Sequence, residues 1–251
     1  MTLCADVGNT SIKIALVEGG RVGHVVTVAS GASARAVEAA ARRAARGHTT
    51  PPASALCSVR PRSRATVAAA LARVCGAAPL VVGHGAVLPI RLAVRRPATL
   101  GADRICAAVG ALGARGRSAI VVDAGTAVTV DLVTDRVFRG GVILPGPALS
   151  MAALHAQTAQ LPELDFEAGP FPPGGFDRTD LAMRWGVGLA AAGGIVAAVE
   201  MLRGRAGRRI PVVVTGGGAG RLRPLLPAAF SFRPHLTLLG LDRVARLSLC
   251  E

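Results

Sequence analysis

One lysine, no tyrosine and one tryptophan serve a chain of 251 residues, and aromatics make up only 3% of it. Each scarcity closes off a class of function. A Walker A loop needs Gly-Lys-Ser/Thr, and the sole lysine, Lys13, follows Ile12, so P-loop chemistry is excluded. With so few aromatics, the stacking platforms of single-strand nucleic-acid binders are missing. The five cysteines (Cys4, Cys57, Cys75, Cys106, Cys250) form no Cys-x-x-Cys pair. Their odd number and wide spacing point to reduced core thiols, not to a zinc site or a disulfide framework. The five histidines (His24, His48, His84, His155, His235) show no metal-ligand spacing, and no Gly-x-Ser-x-Gly elbow occurs. The longest weakly polar run, 186–199, has 14 residues, which is short for a bilayer span. Asp6 falls where a signal peptide would need its apolar stretch. The expectation is a cytoplasmic protein with no membrane partner.

What is abundant is arginine. Of 29 basic residues 28 are arginines, against 15 acids, giving a formal charge of +14. The arginines are scattered from Arg21 to Arg246 instead of being gathered on one segment, so the charge reads as compositional background and no nucleic-acid partner is expected. Hydrophobic residues at 51% exclude a disordered chain, and the length suits one large domain or two fused halves.

The order of patterns supports two halves. The segments 2–6, 11–17 and 21–29 read as a three-strand meander with a turn at Glu18-Gly19-Gly20. A helix over about 32–46, a strand over 53–58, a helix over about 63–75 and a strand over 80–82 follow. An Arg/Pro loop (91–97) then leads to an apolar helix beginning near Gly101. The opening recurs: 118–123 is an apolar strand ending in aspartate, 127–133 alternates, and 137–144 gives a third strand. Helices over about 147–158 and 179–203 flank an irregular segment (161–177); a strand (210–215), a glycine loop, a helix and a final Leu-rich helix complete the chain. Two similar α/β lobes are expected, residues 1–114 and 115–251.

Four segments can carry chemistry. Asp6-Val7-Gly8-Asn9-Thr10-Ser11-Ile12-Lys13 places an acid at a strand end before a glycine turn. Such a turn offers N–H groups and hydroxyls to phosphate oxygens, while the acid can hold hydrated Mg²⁺. Asp123-Ala124-Gly125-Thr126-Ala127-Val128-Thr129 repeats the device, with Asp131 on the same strand face as Thr129. Thr215-Gly216-Gly217-Gly218, between strand and helix, would let a base or ribose approach the backbone. Leu100-Gly101-Ala102-Asp103-Arg104 sets an acid in a first helical turn, where it is either a capping group or a general base beside an anion-gripping arginine. Taken singly, each is also an ordinary turn or cap. Gly186-Val187-Gly188 loosely fits a dinucleotide fingerprint but lies inside a helical pattern with no preceding strand, so it is rejected.

In this order the segments resemble the type III pantothenate kinases of the actin/Hsp70/sugar-kinase superfamily. Gly140-Gly141-Val142-Ile143-Leu144-Pro145-Gly146, Cys57-Ser58-Val59-Arg60-Pro61 and Thr158-Ala159-Gln160-Leu161-Pro162 add to the likeness. The resemblance implies two actin-like (ribonuclease H-like) lobes with the nucleotide site between them, a homodimer, and ATP-dependent phosphorylation of pantothenate at the entry to coenzyme A. It makes Asp103 the general base, with Gly101, Ala102, Arg104 and Thr179 at the substrate. Asp6 to Lys13 and Thr126 would hold ATP, Asp6 also meeting its Mg²⁺, and Asp123 would bind K⁺ or NH₄⁺. Two places depart from the family pattern: Val94 stands where a tyrosine is frequent, and Phe176-Asp177-Arg178 precedes Thr179 where Gly-x-Asn is expected. Both lie on the acceptor side, which leaves a different small hydroxyl acceptor, or a non-catalytic relative, as the alternatives.

Overall fold

The computed structural model describes residues 1–48, 53–166 and 177–248. The opening meander is β1 (Thr2–Val7), β2 (Ser11–Glu18), β3 (Arg21–Val22) and β4 (Val26–Ala29). The expected third strand is thus two short ones. Gly23 donates its N–H to Leu16 O at 2.8 Å, and the ladder resumes only where Val26 faces Ile14. α1 (Ala34–Ala44) begins at Ser33, whose hydroxyl accepts from Ala36 N, and it buries Val37, Ala40, Ala41 and Ala44 on one stripe. After β5 (Ala53–Ser58), α2 (Pro61–Cys75) opens with proline and stops at Gly76, whose φ of 76° suits a left-handed helix end. β6 (Leu80–Val81), β7 (Arg91–Leu92) and α3 (Ala102–Leu112) follow.

The second series is β8 (Ala119–Ala124), β9 (Ala127–Thr134), β10 (Val137–Pro145), α4 (Pro147–Ala156), α5 (Thr179–Ala206), β11 (Val212–Thr215), α6 (Ala219–Leu222), β12 (Ser231–Phe232) and α7 (Leu236–Ser248). Most of the expected irregular segment, 167–176, and with it Phe176, lies outside the described residues, as does Cys250. β7 and β12, two residues each, are too short to show alternation and were not anticipated from the sequence.

The repeat is visible in the sheets. One runs β3-β2-β1-β5-β6, with β4 also pairing β2; the other runs β12-β11-β8-β9-β10-β7. In each, the first strand of its series is central, with the second beside it and a later parallel strand on its other side. The two sheets and their helices make the expected actin-like α/β architecture.

The described residues fall into two compact units: 1–117 with 133–139 and 235–248, and 118–132 with 140–234. In the first, Leu3, Ala5 and Val7 alternate along β1 and join Ile12, Ile14, Val37 and Val67 in one core. The opposite face of the sheet carries α3 and α7, which pack closely on each other. In the second unit α5 supplies the core with Met183, Val187, Ala191, Ile195, Ala198 and Leu202, a spacing of three and four residues. By length and composition α5 is the one described helix apolar enough to cross a membrane, though that row of side chains is packed inside the unit.

The crossing of α3 and α7 is a backbone-to-backbone contact. A Cβ on Gly110 would collide with Leu236 O, and one on Gly240 with Cys106 O. Gly240→Ala is therefore expected to cost about 1–3 kcal/mol by overpacking, measured by chemical denaturation; an unchanged midpoint would contradict this packing.

Candidate active site

β1 brings the first acid to the face that carries α3 and α7. Asp6 pairs across the antiparallel ladder with Lys13 and across the parallel one with Cys57. Cys57 Sγ donates to Asp6 Oδ1 at 3.7 Å. The turn that follows is tied down from several directions. Gly8 N bonds Ser11 O at 3.0 Å, Ser30 Oγ bonds Gly8 O at 2.6 Å, Ser30 N bonds Thr10 O at 3.0 Å, and the Arg60 guanidinium reaches Asn9 O at 3.2 Å. Gly8 suits the position, since a Cβ there would lie 3.2 Å from Ser11 O. Thus the Asp6–Lys13 segment is a fixed turn beside an acid and the chain's only lysine.

Asp103 enters from α3 in the same unit. Its Oδ1 accepts from Arg104 N at 2.8 Å, so the carboxylate folds over its own helix end. Gly101 leaves the space this requires, because a Cβ there would collide with that oxygen. The Arg104 guanidinium lies over the Phe138 ring, 5.7 Å from its centroid, a cation–π arrangement.

The electrostatics set both acids apart from ordinary surface carboxylates. Burial pushes the Asp6 carboxyl up from 3.8 to about 6; Lys13 opposes the shift, Asp103 adds to it, and the Cys57 hydrogen bond opposes it. Burial also raises Asp103, against the pull of its bond to the Arg104 amide and of the Arg104 charge. Burial thus sets both carboxyls above the ordinary carboxylate range, with Asp103 adding to the shift of Asp6. His235, one of the five histidines without metal-ligand spacing, sits at φ 59° just before α7, and burial together with the charge of Lys13 lowers its pKa. A single histidine next to a proline gave no sequence signal for this placement.

The second unit builds the parallel turn. Asp123 stands near the end of β8 and pairs with Thr215 of β11. Gly125 N bonds Ala127 O at 3.1 Å, Gly146 N bonds Thr126 O at 3.1 Å, and Gly218 N bonds Ala124 O at 2.8 Å. Gly216, at φ 97°, lies so near Asp123 Oδ1 and Ala124 O that a side chain would strike both. The glycine loop is thus folded over the acid of the neighbouring strand. Asp131 is buried, its carboxylate close to Gly141. Thr179 is an exposed first residue of α5, beside an Arg178–Asp180 pair with Nη2 to Oδ2 at 2.8 Å. Val94 is partly buried in the loop after β7. Among the described residues no group of three or more His, Cys, Asp or Glu converges as a ready-made metal cage.

The family model for type III pantothenate kinases matches residues 2–201. The chain belongs to that family. A type III pantothenate kinase from Chlorobaculum tepidum is 33% identical over 258 residues, covering 98% of this chain and 94% of the relative. Another, from Kosmotoga olearia, is 40% identical over 123 residues, covering 49% of this chain and 46% of the relative, so that alignment spans about half of its length. Among solved structures, a Campylobacter jejuni protein described as belonging to a Baf family of transcriptional activators superposes with a TM-score of 0.63 at 16% identity, over 99% of this chain and 100% of the other. A ROK hexokinase from Thermus thermophilus gives 0.53 at 17% identity, over 99% of both chains. These two show the fold. The relatives that the chain matches are named type III pantothenate kinases.

The raised Asp6 has a measurable consequence for stability. The folded chain holds that proton more tightly than the unfolded chain, so stability from this group is present below about pH 4 and is lost as pH rises through about 6. Asp6→Asn removes the penalty. It is expected to stabilise the unliganded protein near neutral pH by about 1–3 kcal/mol and to flatten part of its acid-side stability profile, both read by thermal unfolding. A variant less stable than the parent at neutral pH would contradict the assignment.

Proposed function

We propose that this chain transfers the γ-phosphoryl group of ATP to the primary hydroxyl of pantothenate, giving 4′-phosphopantothenate, with Asp103 as general base. The observation that carries the reading is a partly dry carboxylate in the first turn of α3, held by Arg104 N in the same unit as the Asp6–Lys13 turn. Phosphoryl transfer is chiefly a matter of positioning and charge neutralisation, so such a site needs fixed turns, cations and one base.

In this scheme Asp6, Val7, Gly8, Asn9, Thr10, Ser11, Ile12 and Lys13 hold ATP, and Lys13 offsets part of its charge. Asp6 meets the Mg²⁺ that accompanies it. The donor set fits Mg²⁺ in its usual setting, where one or two carboxylates, phosphates and water share the ion, and the charge of Asp103 reaches Asp6. Thr126 in the second unit is a further ATP contact by the family pattern. Gly101, Ala102, Arg104 and Thr179 are assigned to pantothenate, with the Arg104 guanidinium suited to its carboxylate. A raised Asp103 is closer in basicity to the hydroxyl it must serve than a surface acid would be.

Asp123 is proposed to bind K⁺ or NH₄⁺. Its Oδ1 and Ala124 O are neighbouring oxygens packed beside Gly216, donors of the kind a hard cation takes. When bound, such a cation supplies positive charge beside the phosphates. A homodimer is proposed as well. Ile143, Leu149 and Leu189 are 61%, 48% and 52% exposed on β10, α4 and α5, an apolar set suited to a second copy. The buried free thiols Cys4, Cys57, Cys75 and Cys106 accord with a cytoplasmic setting.

A coupled assay of ADP release tests the proposal. Release is expected to require pantothenate and to rise with K⁺. Asp103→Asn is expected to lower turnover about 10²–10⁴-fold with MgATP affinity largely kept. Turnover equal to wild type in that variant would remove Asp103 as the base, and ADP release indifferent to pantothenate would remove the acceptor.

A further inference from the structure

We propose that Cys57 is a positioning residue for Asp6, its buried thiol donating to the carboxylate and holding it in one orientation for Mg·ATP. The inference rests on the reading of Asp6 as a Mg·ATP-binding acid and adds to it a residue in a different element.

Three observations carry it. Cys57 and Asp6 are direct partners in the parallel register of β5 and β1, so their side chains leave the sheet on the same face. Sγ lies 3.7 Å from Oδ1, within the range for a sulfur hydrogen bond. Both Cys57 and its neighbour Cys106 on α3 are 0% exposed, so water does not compete at the sulfur. The direction of the bond is fixed by chemistry, since an ionised carboxylate only accepts and the S–H is the available donor.

The surroundings explain why one weak donor matters. Asp6 faces Lys13 from β2 and Asp103 from α3, one attracting and one repelling. Neither charge reaches Asp6 as a directional hydrogen bond, whereas Cys57 Sγ makes one. The thiol is a short, uncharged donor from a third direction, with the buried Cys106 beside it. Cys57 touches no reacting atom and acts through Asp6.

The test compares Cys57→Ala, which removes the donor, with Cys57→Ser, which keeps a stronger donor on a somewhat shorter side chain. Alanine is expected to raise both KM and the calorimetric Kd for MgATP about three- to tenfold, while KM for pantothenate and kcat stay within about twofold. Serine is expected to bring MgATP affinity back to within about twofold of wild type. If alanine does not fold, Cys57→Val, which fills the space without a donor, takes its place. MgATP affinity unchanged in the donor-less variant, or lost equally in the serine variant, overturns the proposal. Absence of pantothenate-dependent turnover in the wild-type enzyme would instead sink the acceptor assignment, and the MgATP calorimetry of the same variants would still decide the role of Cys57.

Discussion

Asp6 is a carboxylate held in a partly dry place with too little positive charge around it. Lys13, directly opposite in the ladder, is the chain's only lysine, and Asp103 works against it from α3. The balance leaves Asp6 half-willing to keep a proton near pH 6. Under the proposed function that unrest has a use, because Mg²⁺ and the phosphates it carries would complete a charge arrangement the protein alone leaves open. A fully paired Asp6 would make a more stable protein and, for the role proposed, a poorer metal ligand.

The scaffold's task is to keep the two acids near each other against their repulsion. β1 and β2 fix Asp6 by pairing, and the tied-down turn after β1 prevents it from drifting. Asp103 depends on α3, and α3 depends on α7, for the two helices touch backbone to backbone at Gly110 and Gly240. α7 also packs on β1 and β5. The position of Asp103 therefore rests on residues more than a hundred positions later in the chain.

That dependence marks the boundary of what the sequence discloses. The two meanders, the acids at their strand ends, the glycine loop after β11 and the helix carrying Asp103 were readable, since alternation, glycine turns and strand-terminal aspartates are local signals. The family likeness added roles to those residues. The division of β3 from β4 at Gly23, the two-residue strands β7 and β12, and the return of α7 to the first sheet were not readable. Short strands have no period, and tertiary packing at long sequence separation leaves no local trace. At the site, the same limit hid the contact of Cys57 with Asp6 and the nearness of His235 to Lys13. Each pairs residues from distant elements, one of them without any recognisable motif.

Proton release on MgATP binding tests the electrostatic core of this picture most directly. Calorimetry near pH 6, in buffers of differing ionisation enthalpy, counts the protons. With Asp6 titrating at about 6 and ionising when Mg·ATP arrives, about half a proton per site should be released, and the release should vanish in Asp6→Asn. Binding without proton release in the wild type, or release that persists undiminished in Asp6→Asn, would show that Asp6 is not the acid that receives the metal–nucleotide.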